Sequence, residues 1–188
     1  MGFDVFSSAV GSLESDGWPP GRLSTTRLIL REPEAGDRSR LIDWASAEVN
    51  QYTGGARPRD ELEAAMPVEP RRRPGLFVVE RDGAMLGFVT IDRRDRDRLG
   101  HVLPGGNEAE LGYMFLPEAW GHGVATEAAA GALRWFDYAH GGELVVVSAQ
   151  LANTASIRVA DKLGFVETVR FEDYGALQWL GVRRPPNP

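Results

Sequence analysis

The order of elements predicts a single α/β (α+β) domain: a mixed, mostly antiparallel central sheet with helices on both faces. Three observations carry that expectation. Short runs rich in β-branched and aromatic residues recur along the chain, among them LFVVERDGAMLGFVTIDR, ELGYMFL and ELVVVSAQ. A long alanine-rich stretch of helical spacing, AWGHGVATEAAAGALRWFDYA (residues 119–139), separates two of those runs. A second helical stretch, NTASIRVADKLGF, stands before two final strand-like segments.

The elements follow in order. Residues 1–21, rich in Gly, Ser and Pro, read as a loose or surface-wrapped extension, and residues 22–184 as the domain. Arg27 to Arg31 (RLILR) alternates charged and apolar residues as a first strand does. In EPEAGDRSRLIDWASAE, Asp37 is a plausible N-cap, and Leu41, Ile42, Trp44 and Ala45 give a helix one apolar face. Residues 58–66 suit a second short helix, which Pro67, Pro70 and Pro74 then end. Residues 76–93 read as a hairpin turning at Asp82-Gly83, a pair that accepts the positive φ of a tight turn. The run RRDRDR (93–98) alternates sign without an apolar face and reads as a solvated loop. ELGYMFL (110–116) is the next strand. ELVVVSAQ (143–150) has the continuous apolar centre of a strand buried on both faces. The helix over 153–165 starts near Asn153 and stops at Gly164. VETVRFEDY and ALQWLGVRR supply two last strands, and RRPPNP ends the chain.

Composition narrows the function classes. The 188 residues are 43% hydrophobic and 26% charged, which suits a globular protein. There is no cysteine, so a disulfide framework and thiolate metal sites are excluded, in keeping with a cytoplasmic location. The three histidines lack the spacing of a metal site, and His101 and His140 read as surface residues. No apolar run reaches the roughly 20 residues that span a bilayer, and the first residues lack the basic and apolar regions of a secretory signal. A net charge of -6 disfavours nucleic acid as a partner and suits a cationic substrate.

The stretch from Trp120 to Thr126 asks for the most explanation, because two glycines stand directly against the start of a long helix. The first amides of a helix have no partners within it, and the helix dipole places partial positive charge there. A loop that curls its amides inward at that point holds an anion, and glycine lets a phosphate approach the backbone. A plain glycine-bearing turn before a helix is the alternative. Neither the dinucleotide pattern GxGxxG nor the nucleotide pattern GxxxxGK[ST] is present.

ELGYMFLPEAWGHGVATEAAAGAL followed by NTASIRVADKLGF resembles the GNAT family of acetyl-CoA-dependent N-acetyltransferases, most of all the branch holding the ribosomal-protein alanine acetyltransferases. LSTTRLILREPEAGDRSRLIDW is similar to the usual opening of that branch, and the likeness spans about residues 23–170. The family wraps the coenzyme A pyrophosphate with [Q/R]-x-x-G-x-[G/A]. Gly123 and Ala125 stand at its small positions, and Trp120 replaces the usual Gln or Arg. The resemblance implies that the amides of Gly121, His122, Gly123, Val124, Ala125 and Thr126 face the phosphates. It implies a bulge in strand 110–116 that frees backbone groups around Met114, Phe115 and Leu116 for the pantetheine arm. It also matches Asn153 to the family asparagine beside the pantetheine. Arg158 and Lys162, four apart on the second helix, could reach the 3′-phosphate or simply face solvent.

The implied chemistry is direct attack of a primary amine on the thioester in a ternary complex. The acceptor is a small-molecule amine or a protein N-terminus. The amine must lose a proton, the carbonyl oxygen needs an N–H donor such as that of Phe115, and the departing thiolate takes a proton. Glu110 is the first candidate for the base, with an ion-paired strand-end glutamate as the alternative. Ser156 is the first candidate for the donor to sulfur, with a helix-start capping serine as the alternative. Tyr113 and Tyr138 are weaker donor candidates. With no cysteine and no GxSxG, a covalent enzyme intermediate is disfavoured. The competing class is a non-catalytic acyl-CoA-binding or sensing module on the same fold. The expected acceptor site draws on residues 33–75 and the last hairpin, and a homodimer through the final strands is an expectation by analogy.

Overall fold

Among the described residues, eight strands form one sheet in the order β1-β2-β3-β4-β5-β6-β8-β7, every neighbour antiparallel except β5 and β6. The computed structural model describes Leu13 and residues 18–44, 47–53 and 55–185. The tail beyond 185 and most of residues 1–21 lie outside these, as does Ala45. Leu13 is nonetheless buried against the core, and Trp18 stands edge-on to Phe77 and Trp135.

The strands are β1 (Leu23–Ser24), β2 (Ile29–Arg31), β3 (Leu76–Arg81), β4 (Ala84–Arg93), β5 (Ala109–Phe115), β6 (Val145–Gln150), β7 (Val166–Asp173) and β8 (Ala176–Arg183). The helices are α1 (Arg38–Asp43), α2 (Ala47–Asn50), α3 (Arg59–Ala65), α4 (Val124–Ala139) and α5 (Thr154–Lys162). Asp37 is the residue before α1, as expected. Its carboxylate, however, accepts from the Glu34 amide and from Arg31, and it makes no cap bond to α1. The β3–β4 hairpin turns at Asp82 and Gly83, both at positive φ, as the Asp-Gly pair predicts.

Both faces of the sheet are covered because strand residues alternate sides. Phe77, Val79, Val89, Ile91, Leu111, Phe115, Val145 and Val147 meet one face of α4, whose Val124, Ala128, Ala132 and Phe136 are buried at the spacing read from sequence. Leu76, Val78, Phe88 and Leu116 meet Leu41, Trp44 and Val49 on the opposite face. α4 and α5 thus cover one face and α1 and α2 the other.

Two expectations change. The register of β5 against β4 runs unbroken from Gly87–Phe115 to Arg93–Ala109, so no bulge interrupts β5 on that side; register shifts occur between β3 and β4 and between β7 and β8 instead. The opening that the bulge was to create arises by divergence, because β5 and β6 pair only at Ala109–Val145 and Glu110–Val146. The run 93–98 is not simply solvated either. Arg94 is fully buried and arches over the Phe171 ring at 5.8 Å, while Asp95, Arg96 and Asp97 stay exposed. Alternating charge predicts a wet loop, and the half-buried carboxylate that draws Arg94 inward lies 16 residues further along.

Candidate active site

Among the described residues, the only parallel neighbours in the sheet part company after two residue pairs, and the candidate site lies where they part. β5 and β6 run in the same direction and each is followed by a helix. The N-termini of α4 and α5 therefore stand together at the open end of the wedge, the place where ligands settle in sheets of this kind.

The first wall is the loop into α4. Residues Pro117–Ala119 form one 3-10 turn, Trp120 is extended, and Gly121 and Gly123 adopt left-handed φ of 75° and 73°. Non-glycine residues are strained there, so the two glycines are required by the path of the chain itself. The backbone bonds Trp120 N–H to Pro117 O at 3.0 Å, and resumes at Glu127 N–H to Gly123 O at 3.0 Å. Among the described residues, the amides from Gly121 to Thr126 meet no acceptor, and no side chain caps the helix. A Cβ at Gly121 would have nothing within 4 Å, so the loop's outer side is open. Gly121, His122 and Gly123 are exposed, while Ala125 and Thr126 are half-buried.

The second wall is β5. The Leu116 amide donates to Leu86 O at 2.9 Å, which fixes the even-numbered residues as the ones hydrogen-bonded to β4. The amides and carbonyls of Leu111, Tyr113 and Phe115 then face the wedge, and those of Met114 face β4. The Phe115 carbonyl accepts the Trp120 indole N–H at 2.8 Å, so Trp120 braces the loop against the strand end.

Across the wedge, the Tyr113 hydroxyl lies 2.8 Å from the Ser156 carbonyl, to which it donates, and 3.0 Å from Ser156 Oγ. Burial pushes the Tyr113 phenol up to about 12, with Ser156 pulling the other way. Ser156 is held in turn by its amide, which donates to Asn153 Oδ1 at 3.1 Å. Asn153 thus caps α5, and only its amide nitrogen remains for another partner. Arg158 and Lys162 are exposed, and Arg158 comes no nearer to a protein acceptor than 3.5 Å, at Thr154 Oγ1. Tyr138 is 93% exposed on α4, at the opposite end of that helix from the loop.

Glu110 sits apart from this group. It points to the other face of the sheet, because odd and even residues of β5 face opposite sides. Its two oxygens accept from Arg94 Nη1 at 2.6 Å and Arg98 Nη1 at 3.0 Å. Sequence reasoning missed these two arginines. Their only signal was the run RRDRDR, which does not reveal its partners. It missed Arg27 too, which donates to the His122 carbonyl at 3.1 Å. Two histidines also differ from expectation. His101 Nδ1 lies 2.7 Å from the buried Glu108, and His140 stacks on Phe136 at 4.9 Å. His122 is exposed, as expected. On the Glu110 face, Gln150 Nε2 donates to the Tyr52 carbonyl at 3.1 Å, tying the segment after α2 to the end of β6 across the wedge. Among the described residues no group of three or more His, Cys, Asp or Glu could hold a metal ion, and no helix is long and apolar enough to cross a membrane.

The wedge between the diverging parallel strands thus carries unpaired amides on one wall and a half-buried phenol–serine pair across it. The chain belongs to the GNAT acetyltransferases: residues 27–166 match the family described as acetyltransferase (GNAT) domain. Members of this family take their acetyl group from acetyl-CoA. A Bacillus subtilis (strain 168) relative, the uncharacterized protein YkkB, is 29% identical over 160 residues, covering 79% of this chain and 88% of its own. A GNAT-family acetyltransferase from Bacillus anthracis has the same fold, with TM-score 0.70 and 20% identity over 87% of this chain and 98% of that one. RimL, a ribosomal L7/L12 alpha-N-protein acetyltransferase solved in complex with coenzyme A, gives TM-score 0.64 and 13% identity over 87% and 97%.

Proposed function

We propose that the chain transfers an acetyl group from acetyl-CoA to a primary amine by direct attack within a ternary complex. The observation that carries this reading is the unpaired amide series from Gly121 to Thr126 at the head of α4, which suits a diphosphate. The wedge-facing groups of Tyr113 and Phe115 suit the amides of the pantetheine arm, which would lie there as a short added strand.

The amine nitrogen attacks the thioester carbon, the C–N bond forms and the C–S bond breaks. The nitrogen gives up its proton to water, and the thiolate takes one from Ser156 Oγ. Tyr113 holds Ser156 in place through the two contacts at 2.8 and 3.0 Å and, kept neutral by burial, passes a proton back to it, and Tyr113 is reprotonated from the water that took the amine's proton. We assign Glu110 no proton transfer, since guanidinium N–H groups engage both of its oxygens. It anchors Arg94 and Arg98 at the root of the wedge instead. The acceptor enters on the face bounded by Met114, Tyr52 and Gln150, opposite Ser156. A small-molecule amine and a protein N-terminus both remain candidates.

Calorimetric titration with acetyl-CoA, followed by thiol release over a panel of small amines and N-terminal peptides, tests this reading. The chain has no cysteine, so every thiol detected comes from coenzyme A. Saturable binding with amine-dependent thiol release is expected. Binding with no release on any amine would favour a sensing role instead.

A further inference from the structure

We propose that Arg27 and Thr25, in the turn between β1 and β2, are positioning residues for the loop 121–126: they hold Glu127 and offset its charge so that an anion can bind in front of it. This rests on reading that loop as the coenzyme site. Glu127 lies in the first turn of α4, directly behind the free amides. The dipole favours negative charge at that end of a helix, so a bare carboxylate there competes with a bound phosphate for the same field.

The carboxylate is not bare. Glu127 Oε1 accepts from the Thr25 hydroxyl at 2.6 Å and from the Arg27 amide at 2.7 Å, and Oε2 accepts from Arg27 Nε at 2.7 Å. Burial alone would raise the Glu127 carboxyl. The bonds from Thr25 and Arg27 outweigh it and hold the group below the ordinary carboxylate range, so it remains an anion that needs its counter-charge. The same guanidinium donates through Nη2 to the His122 carbonyl at 3.1 Å. One side chain therefore joins the carboxylate to the loop residue between the two glycines and fixes how the neighbouring amides point.

The turn that presents this clamp is itself rigid. The Thr25 amide donates to Leu28 O at 2.9 Å, and the Leu28 amide donates to Thr25 Oγ1 at 3.1 Å. The Thr25 methyl packs onto α4 at Gly131, where a Cβ would come within 2.9 Å of it. These contacts tie residues separated by about 100 positions in the chain, which is why no local motif discloses them.

The test compares the full chain with Arg27→Ala, Arg27→Lys, Thr25→Val, Glu127→Gln and the double variant Arg27→Ala/Glu127→Gln. It reads the Kd for coenzyme A by calorimetry and steady-state kinetics in acetyl-CoA. Arg170→Ala, which strips an arginine from an exposed pair with Glu167, serves as the charge control. Arg27→Ala should weaken coenzyme A by about tenfold, with the loss in KM for acetyl-CoA rather than in kcat. Glu127→Gln in that background should restore most of the affinity, because the uncompensated charge is gone. Arg27→Lys should restore part of it, since an ammonium offsets the charge without bridging to His122 O. Arg170→Ala should bind as the unaltered chain does. A double variant no tighter than Arg27→Ala would overturn the proposal, and so would Arg27→Ala binding as the unaltered chain does. If Arg27→Ala fails to fold by circular dichroism, Thr25→Val decides: weaker binding supports the clamp and unchanged binding overturns it. An unaltered chain that binds no coenzyme A sinks the loop assignment, whereas binding that is equal in all variants sinks the clamp alone.

Discussion

Ser156 and Tyr113 are two modest residues whose proposed role comes from their neighbours. Serine alone is a poor acid, and tyrosine in a strand is ordinary packing. Here the phenol donates to the Ser156 carbonyl and shares the Ser156 hydroxyl, so the serine keeps one orientation. Ser156→Ala should therefore lower kcat on the order of 10²-fold with little change in KM for acetyl-CoA, and Tyr113→Phe should lower it about tenfold, both measured by thiol release. Tyr113 also makes a stability prediction. A free tyrosine ionises near 10 and this one at about 12, so the folded chain holds the neutral form longer than the unfolded chain does. Its contribution is complete below pH 10 and is lost as pH rises through about 12. In urea titrations across that window, Tyr113→Phe should show a shallower fall in stability than the parent chain.

At the scale of elements, the loop before α4 depends on conformation more than on side-chain chemistry. Gly121 and Gly123 both sit at left-handed φ, while a Cβ at Gly123 would meet only Arg27 Nη2, at 3.6 Å. Space is available at both positions, so the obstacle to substitution is the backbone. Gly121→Ala and Gly123→Ala should each cost about 1–2 kcal/mol of stability by denaturant unfolding. They should also raise KM for acetyl-CoA, because the strained loop relaxes and turns its amides away. Gly87 stands differently. A Cβ there would collide with the Met114 carbonyl on the neighbouring strand, so its role is close approach within the sheet.

The molecule as a whole holds its first half to the sheet through a buried ion cluster. Arg31 donates to Asp37 at 2.8 and 2.9 Å and to Glu80 at 2.6 Å, linking β2, the turn into α1, and β3. Asp37→Ala would leave a buried guanidinium only partly compensated, a loss of about 3–5 kcal/mol and a fall in Tm on the order of 10 °C by calorimetry. At the other half, Glu108 accepts from the amides of Val102 and Leu103, both part of the segment that covers the far side of β6 and β8. Burial raises Glu108, but the bonds from Leu103, His101 and Val102 outweigh it and hold the carboxyl below 4.5. That depressed group contributes stability above pH 4.5 and gives it up as pH falls through its folded value.

How much could be read from the chain alone depends on how local the signal is. The Asp82-Gly83 hairpin, the α4 face of Val124, Ala128, Ala132 and Phe136, the glycines before it, and Gly164 after α5 all follow from steric and periodic rules that act within a few residues. They set the fold class and the loop. The partners of charged groups follow no such rule. Arg94 and Arg98 closing on Glu110, Arg27 reaching Glu127, and Tyr113 meeting Ser156 across the wedge are separated by 12 to 100 residues. The sequence by itself determined most of the elements, their order and the glycine turn before α4, though not the two-residue β1 or the short α2, because backbone sterics and hydrophobic period are written locally. Only the tertiary structure decided that β5 leaves β6 by divergence without a bulge against β4, and that Glu110 is anchored away from Ser156. Sheet register and the pairing of buried charges are set by what the rest of the chain brings alongside.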